Sequence, residues 1–173
     1  MTSPSRSGGD APGAFDDRQF RDAMAQVATG VTVVCARAAD GRYVGFTANS
    51  FGSVSLDPPL VLWNLSARSS SLAAFETAER YSVNVLSASQ VDVARRFSRP
   101  HADRFASLPY RLGWSDAPLI EGCVAWLECR HHERHRAGDH VLFIGEVVTV
   151  ERAPGQGLVF HHGRFGTTAA LPD

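Results

Sequence analysis

The feature that most constrains this chain is a rhythm of short β-branched runs closed by tight turn chemistry. Val31-Thr32-Val33-Val34-Cys35 is a β-branched and small run that fits a buried strand. Ala39-Asp40-Gly41 supplies a turn, and residues 42–48 return as a second strand, so the pair predicts a hairpin. Residues 60–65 and 81–86 predict two more strands. Residues 124–133 and 140–150 predict two long ones joined through Ala137-Gly138-Asp139, and 158–161 a last short one. Helical spacing occurs only in short stretches between them. Phe20, Met24 and Val27 form one apolar side behind an Asp16 or Asp17 cap. Residues 69–79 turn Leu72 and Phe75 inward, and residues 89–97 align Val93 with Phe97. Ser55-Leu56-Asp57-Pro58-Pro59 predicts a rigid break, and residues 99–122 a long irregular loop. Hairpins with helices between them do not alternate as βαβ units. The predicted fold is mainly β, an antiparallel barrel with peripheral short helices.

Composition sets the remaining bounds. A chain of 173 residues, 44% apolar, can bury one substantial core, so one domain is predicted over 15–173. Residues 1–14 are rich in Ser, Gly, Pro, Asp and Ala, which predicts a disordered N-terminal tail. Seventeen basic and eighteen acidic side chains leave a net charge of -1, which gives no electrostatic case for nucleic acid or an anionic membrane. No apolar run approaches the roughly 18 residues of a membrane span. The N-terminus lacks a secretory apolar core, so a cytoplasmic protein is expected. Three cysteines do not make a disulfide framework.

Two polar segments stand out against the apolar strands. The stretch from Thr47 to Leu60 carries the hydroxyls of Thr47, Ser50, Ser53 and Ser55 and the amide of Asn49. Such a run suits a phosphate or the polar edge of a heterocycle, and equally a polar loop closing a barrel end. Ser66-Ala67-Arg68-Ser69-Ser70-Ser71 has an anion-binding layout and equally the make-up of an N-cap cluster. Both lie at strand ends, where one ligand can touch both. Neither carries a P-loop or a dinucleotide glycine fingerprint. Seven histidines crowd the second half of the chain. His131, His132 and His135 with Cys129 raise a metal site. Neighbours on a strand point to opposite faces and no metal-ligand spacing supports them, so no metal is predicted. His140 opens an apolar strand, where it reads as a titratable ring at a barrel mouth or as a turn histidine. No Gly-x-Ser-x-Gly elbow or paired carboxylates favour a hydrolase.

Several blocks then recur in order. They include Phe20-Arg21-Asp22-Ala23-Met24, Ala28-Thr29-Gly30-Val31-Thr32-Val33-Val34 and Gly45-Phe46-Thr47-Ala48-Asn49-Ser50-Phe51. They continue with Ser53-Val54-Ser55-Leu56-Asp57-Pro58-Pro59-Leu60, the strand 81–86, and Ala94-Arg95-Arg96-Phe97. They end with Ala137-Gly138-Asp139-His140 and Phe143-Ile144-Gly145-Glu146-Val147. Over about Phe20 to Phe165 the chain resembles the short-chain flavin reductases, the reductase components of two-component flavin-dependent monooxygenases. The resemblance implies a split β-barrel, a homodimer, noncovalent FMN or FAD, and hydride transfer from NADH or NADPH to the flavin. Reduced flavin would then diffuse to a partner monooxygenase.

The resemblance also implies site residues. Thr47, Ala48, Asn49 and Ser50 would lie along the flavin ring, and Ser53, Val54 and Ser55 at the ribityl and phosphate. Ser66, Arg68, Ser69 and Ser70 would hold the phosphate or pyrophosphate. Gly30, Val31 and Thr32 would edge the ring by backbone contacts. Phe97, Arg164 and Phe165 would also border the cofactor, and His140 would stand beside the nicotinamide as the catalytic residue. The C-terminal block departs from the family pattern, with His161 where an aromatic ring is usual, and Asn64 is also unusual. A non-catalytic flavin-binding or electron-carrier protein on the same barrel is the alternative. A pyridoxine-phosphate oxidase relative is a third reading, without the basic residues for its second ligand. The motifs leave FMN against FAD, and NADH against NADPH, open.

Overall fold

The computed structural model describes residues 15–99 and 103–169, so the predicted tail over 1–14 lies outside the described residues. Helix α1 (Asp17–Met24) begins with a capping box. The Asp16 carboxylate accepts the Gln19 N–H at 2.7 Å, and the Gln19 side chain accepts the Asp16 N–H at 2.9 Å. Strands β1 (Thr29–Gly30), β2 (Thr32–Arg37), β3 (Tyr43–Ala48), β4 (Gly52–Leu56) and β5 (Pro59–Ser66) follow. Helix α2 (Leu72–Thr77), β6 (Arg80–Val85) and α3 (Val91–Ser98) form the middle of the chain. The last part holds β7 (Tyr110–Leu112), β8 (Pro118–Ile120), β9 (Ala125–Ala137), β10 (His140–Arg152), β11 (Leu158–His161) and β12 (Arg164–Thr167).

Seven strands form one antiparallel sheet in the order β3-β2-β6-β9-β10-β5-β4. Its two edges, β3 and β4, are consecutive in the chain and joined by the bend over 49–51, yet they do not pair. The curled sheet therefore stays split, the barrel form the hairpin pattern leads to. Two smaller sheets attach to it, β1-β11-β12 and the hairpin β7-β8. Trp63 centres the interior. Its indole stacks on Phe143 with centroids 4.1 Å apart and meets Phe75 and Tyr81 edge-on. α2 plugs this end through Leu72 and Phe75. A second cluster on the other side of β2 gathers Val31, Val33, Cys35, Leu86 and Phe97 beneath α3.

Several local expectations are corrected. Residues 55–59 do not break the sheet. Asp57 and Pro58, joined by a cis peptide, form the tight turn of a β4–β5 hairpin in which Leu56 already faces Pro59. The hydroxyl-rich run is accordingly half strand, with Val54 as the extra residue of a bulge. The loop over 99–122 contains the β7–β8 hairpin. β9 runs on to Ala137, through the histidines, and β12 was not foreseen. His132 is itself a bulge residue, because His131 faces Gly145 while Glu133 faces Ile144. α1 buries nothing: Phe20, Met24 and Val27 are each about half exposed. Among the described residues no helix is long and apolar enough to cross a membrane.

Candidate functional site on the outer face of β5 and β10

Alternation divides β5 and β10 into two faces. Val61, Trp63 and Leu65 of β5 and Val141 and Phe143 of β10 are buried. The intervening residues Leu60, Leu62, Asn64 and Ser66, with His140, Leu142 and Ile144 across the ladder, remain partly open. Register puts His140 directly opposite Ser66 and Leu142 opposite Asn64. Residues far apart in the sequence therefore share one strip.

The strip's hydroxyls are oriented in a common way. Ser50 Oγ accepts the Asn64 N–H at 3.1 Å, which ties the bend after β3 to the middle of β5. Ser66 Oγ accepts the Arg68 N–H at 3.3 Å, and Ser69 Oγ accepts the Ser71 N–H at 3.2 Å. Each oxygen is pinned as an acceptor, and no hydrogen bond among the described residues uses its proton. Hydroxyl donors at Ser66 and Ser69, with Arg68 between them in the chain, fit an anionic, oxygen-rich ligand. Ser53 and Ser55 flank the Val54 bulge on β4, the neighbouring strand. Asn49 and Ser70 are exposed.

His140 stands at the far end of the strip. Its Nδ1 lies 2.8 Å from Asp139 Oδ1. That bond and the His140 charge hold the Asp139 carboxyl below its ordinary range, with a smaller pull from Arg68. A carboxylate only accepts, so the bond assigns the proton to Nδ1 and leaves Nε2 as the free ring nitrogen. The Ala67 N–H donates to the Asp139 carbonyl at 2.8 Å, so the hydroxyl loop and the histidine turn are fastened to each other.

The other expected residues divide by burial. Thr47 faces α3, where its hydroxyl donates to the Ala94 carbonyl at 2.7 Å. Ala48 and Thr32 are buried and linked by a bond from Thr32 Oγ1 to the Ala48 carbonyl. Val31 is 1% exposed, and both its main-chain groups are taken by Leu158 and Leu86. Phe97 packs in the core beneath α3. It is 1% exposed, and its ring fills the space where Gly45 has no Cβ. Arg164 and Phe165 lie in the small β1-β11-β12 sheet, with Arg95 5.9 Å from the Phe165 ring centre. Among the described residues no hydrogen bond or ring contact ties either of them to His140. Gly30 is exposed in that same sheet.

Two glycines test whether a flat cofactor fits. A Cβ built on Gly30 or Gly52 would meet no protein atom within 4 Å, so packing within the chain asks for glycine at neither place. Both leave open surface beside the predicted site, which suits a ligand approaching close to the backbone. Asn64 and Asp139 were not assigned to the site from sequence. Period-two alternation from Ser66 reaches Asn64, and adjacency to His140 marks Asp139. Among the described residues no group of three His, Cys, Asp or Glu side chains is placed to hold a metal ion. His131 instead accepts a bond from Arg134 Nε at 2.8 Å, and burial, with Arg134 and His132 nearby, lowers its pKa.

Comparison with known proteins agrees with this geometry. The FMN reductase (NADH) SmoA of Agrobacterium fabrum is 43% identical over 90% of this chain and 88% of its own length. The reductase component of a flavin-dependent trigonelline monooxygenase from Acinetobacter baylyi is 42% identical over 88% of this chain. This chain spans only 49% of that relative's length. The NADH:FAD oxidoreductase SgcE6 of Streptomyces globisporus, solved with NAD and FAD fragments, superposes with a TM-score of 0.85. It is 41% identical, with 91% of this chain and 96% of that one covered. The model of the flavin reductase like domain matches residues 24–169, and the chain belongs to that family.

Proposed function

We propose that this chain is an NADH-dependent flavin reductase that supplies reduced flavin to a partner monooxygenase. The observation that carries the reading is the row of pinned hydroxyls, Ser50, Ser66 and Ser69, leading along an open strip to the Asp139–His140 pair. When bound, the flavin supplies the acceptor for the two electrons of the nicotinamide.

The chain's own work is orientation, which raises rates without much acid–base machinery. Ser66, Ser69 and Arg68 hold the flavin phosphate through unspent hydroxyl protons and one cation, and Ser50 and Asn49 border the ring. Leu62, Leu142 and Ile144 present an apolar floor that excludes water. Asp139 holds the His140 ring through Nδ1, which leaves Nε2 as the nitrogen to meet the carboxamide or ribose of the nicotinamide nucleotide. NADH is the expected donor, the nucleotide used by the relatives SmoA and SgcE6.

A homodimer is part of the reading. Phe20, Met24 and Val27 are 53%, 52% and 53% exposed, an apolar side that a second copy would cover. Light scattering at micromolar protein is expected to give twice the chain mass; a monomer would refute this element alone. Cytoplasmic location accords with three unpaired thiols and a nicotinamide donor.

The test is anaerobic mixing of the protein with excess FMN or FAD and then NADH or NADPH, following loss of oxidised flavin absorbance. Catalytic bleaching of excess flavin is expected with NADH. Flavin binding without nicotinamide-dependent bleaching would make the protein a carrier and refute the reductase.

A further inference from the structure

The far half of β9 lies behind the hydroxyl loop. β9 pairs with β6 only as far as Arg130, which stands opposite Arg80. Beyond it, from His131 to Ala137, β9 pairs with β10 alone among the described residues, and the chain leaving α2 runs along its open edge. There the His131 N–H donates to the Glu79 carbonyl at 2.8 Å.

Register fixes the side taken by the two arginines of this stretch. Arg134 stands opposite Phe143 and Arg136 opposite Val141, and both partners are buried in the interior. The arginines therefore project on the side where α2 closes the barrel end. Both meet one residue of that helix. Arg134 Nη1 donates to the Glu76 carbonyl, and Arg136 Nη2 donates to Glu76 Oε1 at 3.2 Å. His131 Nε2 accepts the Arg134 Nε–H at 2.8 Å, so the guanidinium is held from two sides.

α2 depends on such contacts. It has six residues, and its Ser71 cap makes no side-chain bond. Isolated helices shorter than about 12–15 residues are marginal in water. Leu72 and Phe75 fix its depth in the core. The Glu76 carbonyl is among the last of the helix, which lack a partner within it, and Arg134 supplies that partner from another strand.

The front of the same segment is fastened to the same hairpin. Ser66 stands opposite His140, and the Ala67 N–H donates to the Asp139 carbonyl. Residues 66–76 are thus bridged at both ends by β9 and β10, which meet at the turn around Gly138. Between the two fixtures, Ser69 is tied to the start of α2. Its carbonyl accepts the Leu72 N–H at 3.1 Å and its Oγ accepts the Ser71 N–H. With Ala67 fixed, the place of Glu76 governs where Ser69 stands.

We propose that Arg134 and Arg136 are positioning residues for the hydroxyl loop: by holding α2 at Glu76 they set Ser69 against the flavin phosphate and so set the preference for FMN over riboflavin. This rests on the flavin reading above and adds to it two residues that stand behind the site. Their work is alignment rather than stability, because an exposed pair such as Arg136–Glu76, with side chains 74% and 33% open, adds little to the fold.

Fluorescence titration with FMN and with riboflavin tests the proposal. In Arg134→Gln with Arg136→Gln the dissociation constant of FMN should rise about tenfold, while that of riboflavin stays within about twofold. Arg136→Lys, which keeps the ion pair, should hold FMN within about twofold of wild type. The melting temperature of the double variant should lie within about 4 °C of wild type. Should that variant not fold, Arg134→Lys carries the test. It keeps the charge but cannot bond Glu76 and His131 together, and FMN alone should weaken about threefold. Equal weakening of both flavins makes the arginines merely structural and overturns the proposal, as does no change in either.

Ser66→Ala with Ser69→Ala is the reference for the site itself. If that pair lowers the preference for FMN and the arginine variants do not, the flavin reading stands and the inference alone falls. If that pair leaves the preference intact, the phosphate lies elsewhere and the inference falls with that element of the reading. A wild type that binds neither flavin refutes both.

Discussion

The two faces of β5 and β10 are built on one backbone and do opposite work. On the inner face Val61, Trp63, Leu65, Val141 and Phe143 are sealed, and Trp63 and Phe143 stack at 4.1 Å. On the outer face Asn64, Ser66 and His140 alternate with Leu62, Leu142 and Ile144, all partly exposed. The inner face resists change because each ring is in contact on every side. The outer face gains little stability from any one residue, so it is free to carry recognition. The contrast teaches that rigidity and chemistry are supplied by the same strands in alternate positions, which places polar groups on a floor that cannot shift without disturbing the core.

Trp63→Ala should break the comparison most severely. The loss of a fully buried indole is expected to cost about 3–5 kcal/mol, read as a lower denaturant midpoint at unchanged slope. Loss of flavin binding should follow only as the fold is lost. A change below about 1 kcal/mol would show that the interior repacks and that the two faces are not mechanically joined.

Glu128 is a second interior test. It is 4% exposed and accepts bonds from the Ser115 N–H at 2.6 Å and from the Ser115 and Thr149 hydroxyls, each at 2.8 Å. Burial pushes its carboxyl up, but these bonds, with the Trp114 N–H, outweigh it and bring the pKa below 4.5. Glu128→Gln should therefore cost about 1–3 kcal/mol at neutral pH. Because the folded pKa is the lower one, the charge stabilises fully above the unfolded value and progressively less as pH falls through the folded value. The gap between wild type and variant should close in acid; a gap independent of pH would mean that shape, not charge, holds the loop.

On the outer face, His140→Ala should raise the KM for NADH about tenfold, with flavin affinity within about twofold and the melting temperature unchanged. Unchanged nicotinamide kinetics would remove His140 from the site. Ser66→Ala with Ser69→Ala should weaken FMN by about tenfold and leave riboflavin, which lacks the phosphate, within about twofold. Equal loss for both would place these hydroxyls elsewhere than at the phosphate. The smallest effect is expected inside: the Tyr81 hydroxyl is buried and makes no well-formed hydrogen bond, with only a loose approach to the Trp63 indole N–H. Tyr81→Phe should be neutral or stabilising by up to about 1 kcal/mol, and a larger loss would reveal a partner for that hydroxyl.

Much of this was legible in the chain because strands announce themselves locally. The Val31-Thr32-Val33-Val34-Cys35 run, the turn at Asp40-Gly41 and the long pair around Gly138 were each readable from about ten residues. The bend after β4 was misread because proline chemistry alone does not distinguish an interruption from a two-residue turn. Pro58 occupies the turn and Pro59 only opens the next strand. The site was legible as two polar segments, but not as one strip. Pairing His140 with Ser66 requires the β5–β10 register, a contact between residues 74 positions apart. The packing of Phe97 was illegible for a related reason: a ring at a helix end looks the same in a sequence whatever it faces, and here it meets the missing Cβ of Gly45.

The three cysteines acquire a different meaning in this setting. Cys35, Cys123 and Cys129 are buried and unpaired. Burial raises all three thiols, with Cys123 and Cys129 pushed up to about 12. A protein that releases reduced flavin into aerated solution stands next to a source of hydrogen peroxide. Peroxide attacks thiolates, and at neutral pH these sulfurs are essentially all protonated and shielded by packed side chains. The same tight interior that fixes the site would therefore also protect a flavin reductase from the oxidant that its turnover generates.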